Sequence, residues 1–292
     1  MPDINLAILF WFYKKPRICW NRLLILKKFC PGLKIFGLFG GKQTEKDVYR
    51  NFLGQYLDNF YTSPYANPRW KWLNGDLMIL DWYNQRGKGL SWDSIAVVQW
   101  DTLVFDSLYQ QFLGIKKGEI FLSGLRVLNN KLEKKWVWTQ PEDPKRQTYQ
   151  EFLNYIRKNY HYFSSPLCCQ FIFAIFPRLF FEKYSRVKNK EIGMLEYKIP
   201  TYAKIFGIPF YKKDLGVYWH KGKQQDKPLN ALPVKITKET INFNLKRRKG
   251  WRIFHPYYQN WPLLQNKKRS KHLLGNNQAQ KKSPLRENAK GI

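Results

Sequence analysis

Ile95-Ala-Val-Val-Gln-Trp-Asp-Thr-Leu-Val-Phe105 is the stretch on which the reading of the fold turns. Four apolar residues run straight into Gln99, Trp100 and the carboxylate of Asp101. A short apolar run of this kind reads as a strand buried on both faces, the habit of central strands in α/β sheets. In such sheets ligands bind beyond the carboxyl ends of the strands, and Asp101 falls there. The plain alternative is an Asp that caps the following turn through its side chain.

Upstream of that stretch, Leu6–Tyr13 is a continuous apolar run and predicts the first strand. Lys14-Lys15-Pro16-Arg17 breaks it with a basic turn, and Cys19–Phe29 carries apolar residues at helical spacing before Pro31-Gly32. Leu33–Phe39 predicts a second strand. Strand, helix and strand in so short a length is the βαβ signature, which favours a parallel sheet with a right-handed crossover. Glu45–Phe60 predicts a helix, with Val48, Phe52, Tyr56 and Phe60 four apart, followed by a polar, aromatic loop over Tyr61–Lys71. Gly75–Asp81 predicts a third strand and Ile95–Trp100 a fourth.

Downstream, Glu119–Leu125 predicts a strand interrupted by Gly124, and residues 131–144 a charged loop or hairpin. Gln147–Asn159 predicts an amphipathic helix. Cys168–Ile175 reads as another buried strand, stopping at Pro177-Arg178, where a short helix can begin. Tyr202–Phe206 reads as helical, and Ile241–Trp251 as basic with no clear period. Beyond Leu264 the composition shifts to Lys, Arg, Asn, Gln and Ser, which predicts a disordered basic tail over residues 264–292. The expected organisation is one α/β domain over residues 1–263 plus that tail.

Composition narrows the function classes. The chain has 292 residues, 44 % hydrophobic and 17 % aromatic, so it buries a sizeable core. Its 51 Lys+Arg against 21 Asp+Glu give a formal charge of +30, which implies an anionic partner. Nucleic acid, an anionic membrane surface and phosphorylated small molecules all satisfy that demand. Cys19, Cys30, Cys168 and Cys169 show no metal-ligand spacing and read as buried thiols in a reducing, cytoplasmic setting. The apolar runs are too short to cross a bilayer, which takes about 20 residues, and no cleaved signal peptide is expected.

Three places join a strand end or loop to a residue able to hold a metal or move a proton. They are Asp101, Glu196 in Gly193-Met-Leu-Glu196, and His255 in Arg252-Ile-Phe-His255-Pro. A hard divalent cation takes carboxylate oxygens and tolerates an imidazole nitrogen. Taken singly, Glu196 also reads as a partner for a lysine and His255 as a half-buried ring. The aromatic-rich stretch from Trp70 to Trp92 suits a sugar and nucleotide cleft or, equally, a core. Within it Asp76 follows Gly75, where the backbone permits close approach.

The order of these parts resembles a GT-A glycosyltransferase of the nucleotide-diphospho-sugar transferase superfamily. A βαβ start, a strand ending in Gln99-Trp100-Asp101, a later Gly-x-x-Glu at Gly193–Glu196 and a late histidine carry the resemblance over roughly Leu6–Pro262. It implies a Rossmann-type mixed, mostly parallel sheet flanked by helices, and transfer of a sugar from a nucleotide-sugar donor to a glycan or lipid-linked acceptor. In the superfamily an Asp-x-Asp motif grips metal and nucleotide. Asp101 matches its last acid, whereas Gln99 stands where the first acid belongs. Glu196 matches the base, and His255 the late ligand of manganese or magnesium. The residues expected around the nucleotide-sugar are Asp76, Gln99, Trp100, Asp101 and Arg178. The +30 charge adds the expectation of a peripheral position on the inner face of an anionic membrane. A nucleic-acid-binding protein without enzymatic activity is the rival from another class, although no helix-turn-helix, zinc finger or ribonucleoprotein motif occurs. A third possibility is a degenerate transferase fold that binds a nucleotide-sugar without turnover.

Overall fold

The structure, a computed structural model, describes residues 4–262 apart from 66, 144, 220–222, 225–226 and 232–235. The run Leu6–Phe12 forms β1, and all seven of its residues are buried. Pro16 opens helix α1 (Pro16–Phe29), which ends on Lys27 and Lys28, where positive charge suits the helix dipole. Strand β2 (Ile35–Phe39), helix α2 (Lys46–Leu53) and strand β3 (Asn59–Thr62) follow. Helices α3 (Pro68–Leu73) and α4 (Gly75–Gln85) then lead to β4 (Ser94–Gln99), inside the run that opened the sequence reading. Short elements come next: β5 (Leu103–Val104), α5 (Leu108–Gln111), β6 (Phe121–Leu122), β7 (Arg126–Val127) and α6 (Asn130–Glu133). The longer α7 (Lys145–Tyr160) precedes β8 (Leu167–Cys168), β9 (Phe173–Pro177), α8 (Arg178–Tyr184) and α9 (Leu195–Ile205). Helix α10 (Lys238–Lys246) and β10 (Ile253–Phe254) complete the described elements.

Six strands make the central sheet in the order β3-β2-β1-β4-β9-β6. The four strands from β3 to β4 are parallel, while β9 runs antiparallel to both of its neighbours. The sheet is therefore mixed, mostly parallel and flanked by helices, as expected. Alternation along the strands splits the core in two. Ala7, Leu9 and Trp11 of β1 join Ile95 and Val97 of β4 beneath α4, α7, α8 and α9. Ile8, Phe10 and Phe12 join Ala96 and Val98 beneath α1 and α2. Successive connections leave β1 toward β2 on one side and β4 lies on its other side. The carboxyl ends of β1 and β4 thus flank the topological switch point, the place where open α/β sheets bind ligands. At that edge Trp11 pairs in register with Gln99.

Several expectations need correction. Gly75–Asp81 is the start of helix α4, not a strand. Leu77, Met78, Ile79, Leu80, Trp82 and Tyr83 are all buried, so the helix is apolar around most of its girth. A short run of that kind has no period by which to tell it from a buried strand. The helix expected over Glu45–Phe60 stops at Leu53, and its last two residues belong to β3. The strand expected over Cys168–Ile175 is two strands, β8 and β9, with residues 169–172 as a break between them. The basic stretch 241–251 contains most of α10. The tail expected over residues 264–292 lies outside the described residues.

Candidate functional site

Asp101 stands two residues beyond β4, at the switch point, with its side chain only 9 % exposed. The short β5–β10 ladder brings the C-terminal part of the fold back to it, pairing Leu103 with Phe254. The next residue, His255, lies with Nε2 3.3 Å from Oδ1 of Asp101. Tyr257 donates its backbone N–H to the Asp101 carbonyl at 2.8 Å and fixes the register of that return. The histidine is held from behind, because its own N–H donates to the Pro228 carbonyl and its carbonyl accepts from Asn230.

The tautomer of His255 follows from its neighbour. Nδ1 lies 2.8 Å from the carbonyl oxygen of Asn230, an acceptor only, so Nδ1 carries the proton. In the neutral ring Nε2 then presents a lone pair to Oδ1 of Asp101. That oxygen is buried and makes no hydrogen bond among the described residues. Two acceptors facing each other call for a positive charge between them, either a proton on the ring or a cation. Asp101 Oδ1 and His255 Nε2, 3.3 Å apart, would suit a hard divalent cation by their chemistry, since such an ion takes carboxylate oxygen and tolerates an imidazole nitrogen. The proton that Nδ1 donates to a carbonyl is also what commonly orients a metal-binding histidine. Among the described residues no group of three or more His, Cys, Asp or Glu side chains could hold a metal. An ion here would have two protein ligands and would take the rest from a bound molecule.

Positive charge and aromatic rings surround Asp101. The Arg22 guanidinium of α1 is buried and donates to the Tyr257 and Gln259 carbonyls. Burial pulls its pKa down to about 10, against the opposing field of Asp101. The rings of Tyr13 and Tyr258 flank the site, and burial pushes both hydroxyls up, with the Asp101 charge adding to it. Exposed Lys14 and Lys15 lie over those two rings, with Nζ 5.7 Å and 5.8 Å from the centroids. Trp100 packs edge-on against Tyr13 and tilts over Tyr258, so it forms part of the site's floor.

On the other face of the sheet, Gln99 reaches Glu196 through one residue of the break between β8 and β9. Its Nε2 donates to the Phe171 carbonyl at 2.9 Å, and the Phe171 N–H donates to Oε1 of Glu196 at 3.0 Å. The second carboxylate oxygen accepts from Nε1 of Trp138 at 3.1 Å. Glu196 lies in the first turn of α9, after Gly193 (φ +95°). Burial pushes its pKa from the ordinary 4.5 up to about 7, and the two N–H donors only partly oppose that rise. A carboxylate that titrates near neutrality suits proton transfer.

The structure thus gathers Asp101, His255, Gln99 and Trp100 at one strand end, with Glu196 tethered to it by Phe171. Asp76 lies in the first turn of α4 in a sealed ion pair, 2.9 Å from Lys198 Nζ, and accepts from the Tyr184 hydroxyl. Arg178 does not join the group. It follows Pro177, which pairs with Ser94 at the amino end of β4, the opposite edge of the sheet. There its guanidinium stacks on Trp92 at 4.3 Å and donates to the carbonyls of Lys88, Leu90 and Trp92. Arg178 is a loop clamp at the amino end of β4, apart from the residues gathered around Asp101. Sequence reasoning passed over Lys14, Lys15, Arg22, Tyr13 and Tyr258. The available signal was the basic loop straight after β1, since βα loops at a switch point face the ligand.

No protein-family model matches the chain, and no curated protein matches it. Among solved structures it is similar to the WbbM bifunctional glycosyltransferase in its apo form, at TM-score 0.46 and 13 % identity. That match covers 88 % of this chain and 46 % of the other, so the chain spans less than half of that protein's length. It is also similar to the inositol-1-phosphate CTP transferase from T. maritima, at TM-score 0.43 and 9 % identity over 72 % of this chain and 86 % of that one. A third is the galactosyltransferase LgtC in complex with donor and acceptor sugar analogs, at TM-score 0.40 and 10 % identity over 73 % and 75 %.

Proposed function

We propose that the chain transfers a sugar from a nucleotide-diphospho-sugar to a hydroxyl of a glycan or lipid-linked acceptor. The observation that carries this reading is the pairing of two chemistries at one strand end. A buried carboxylate oxygen with no hydrogen bond among the described residues faces Nε2 of His255 at 3.3 Å, and Glu196, whose pKa burial raises to about 7, is linked to the same strand end through Phe171 and Gln99.

In this reading Asp101 and His255 would hold a divalent ion, manganese or magnesium, in company with the diphosphate. Such an ion neutralises charge on a departing nucleotide diphosphate. Lys14 and Lys15 add positive charge at the rim, and the start of α1, with no acidic residue in its first turn, favours an anion there. Glu196 takes the proton of the acceptor hydroxyl, and its link through Phe171 to Gln99 keeps it in register with the donor side. Gln99 is therefore a strut in place of a metal ligand. The lost carboxylate is consistent with an ion that binds mainly in company with the diphosphate. A lipid-linked acceptor and a peripheral membrane position belong to the same reading, on the strength of the +30 charge.

Calorimetry with manganese chloride, with and without uridine diphosphate and cytidine diphosphate, tests the metal side. The expected result is weak binding alone, binding at least tenfold tighter with one of the diphosphates, and loss of that gain in Asp101→Asn. Equal affinity with and without both diphosphates would refute the assignment of Asp101 and His255.

A further inference from the structure

Helix α10 and the turn after it carry a surface that neither the core nor the site explains. Ile241 is buried and Leu245, four residues on, is half-buried, so this face of the helix packs inward. Phe243 lies near the opposite face and is 60 % exposed. The Arg247 guanidinium sits over its ring at 5.1 Å. Lys246, Arg247, Arg248 and Lys249 are all exposed, and none has a carboxylate within ion-pair distance among the described residues.

The turn is built to hold that charge outward. Nη1 of Arg252 donates to the carbonyls of Asn244, Gly250 and Trp251, and Nη2 to that of Arg247. One guanidinium thus cross-links the end of α10 to the strand that follows. The same strand delivers His255 to Asp101 three residues later. A rigid cationic knuckle with an outward phenylalanine therefore adjoins the candidate site in the chain.

We propose that α10 and residues 246–249 dock the protein on an anionic lipid bilayer, with Phe243 entering the headgroup layer. The charge is complementary to anionic headgroups, and an aromatic ring amid cations is the composition of an interfacial anchor. Residues 238–249 carry one aromatic, Phe243. Strand-tracking nucleic-acid sites line a groove with successive aromatics. Docking is a binding property and holds whether or not the chain transfers a sugar.

The test is sedimentation of the full chain with sucrose-loaded vesicles. One set is pure phosphatidylcholine and the other contains phosphatidylglycerol at about one lipid in three. The native chain is expected to bind the anionic set at least tenfold more tightly. Each cation near such a surface is worth about fivefold in binding, so Arg247→Gln with Arg248→Gln and Lys249→Gln should lose on the order of a hundredfold. Phe243→Ser should lose about tenfold with all charges kept. A tail variant with Lys267, Lys268, Arg269 and Lys271 changed to Gln should keep the dependence on Phe243. Melting midpoints accompany each variant, and single Arg248→Gln serves if the triple variant melts early. Three results would each overturn the proposal. They are equal binding to both vesicle sets, binding lost only in the tail variant, and release from vesicles at a salt concentration where duplex DNA is still held.

Discussion

Replacing Glu196 with Gln isolates the most unusual group in the fold, because the folded pKa of about 7 lies well above the ordinary 4.5. Between those values the folded chain binds more protons at this position than the unfolded chain. Stability conferred by the protonated acid is thus full below pH 4.5 and lost as pH rises through 7. The difference of about 2.5 pKa units amounts to about 3 kcal/mol, at 1.36 kcal/mol per unit. For a chain of this size 1 kcal/mol moves the melting midpoint by about 2 °C, so the effect is about 6 °C. Glutamine is neutral throughout, although its amide faces the Phe171 or Trp138 N–H and loses one hydrogen bond. That loss is a constant offset with pH. The measurement is the difference in midpoint between native chain and variant from pH 4.5 to 8.5, which also cancels every other titrating group. The native chain should lose about 6 °C relative to the variant across that range. A difference that stays flat would refute the elevated pKa, and with it Glu196 as a base poised near neutrality.

Two further outcomes follow from side chains buried near the site. Lys198→Met leaves the Asp76 carboxylate uncompensated inside the protein and should cost about 3–5 kcal/mol in urea unfolding, whereas the double change with Asp76→Leu should restore most of it. Gln99→Leu removes the donor to the Phe171 carbonyl. Single-turnover and steady-state kinetics should show turnover falling by about tenfold or more with the donor KM unchanged, since only the proposed base is displaced.

Three central strands of the sheet were legible because they are runs with no polar interruption. Leu6–Phe12, Ile35–Phe39 and Ser94–Gln99 are buried on both faces, and turn chemistry bounds them. The same property hid α4, whose Leu77–Leu80 run meets the sheet on one side and α8 and α9 on others. Strand β3 was hidden by half-buried residues that read as the end of a helix. The break at 169–172 was marked only by Gln170 in the otherwise apolar run of residues 167–177, yet it supplies the backbone that ties Gln99 to Glu196. Asp101, Glu196 and His255 drew attention because carboxylates are scarce in so basic a chain and each follows apolar residues. Arg22 carried no such signal. Besides the adjacent Asn21 side chain, its acceptors are carbonyls 235 and 237 positions later, and no local pattern announces partners that distant.

The couple between Asp101 and His255 also sets an order of events during synthesis. Every strand of the six-stranded sheet has been made once Pro177 leaves the ribosome, whereas the imidazole arrives with residue 255. At about 5–20 residues per second the 78 residues from 178 to 255 take roughly 4–16 s. For that interval a nascent chain holds a complete set of sheet strands and an Asp101 with neither His255 nor the Tyr257 N–H beside it. The pair of residues proposed to hold the ion is thereby completed late, by the arrival of one short strand.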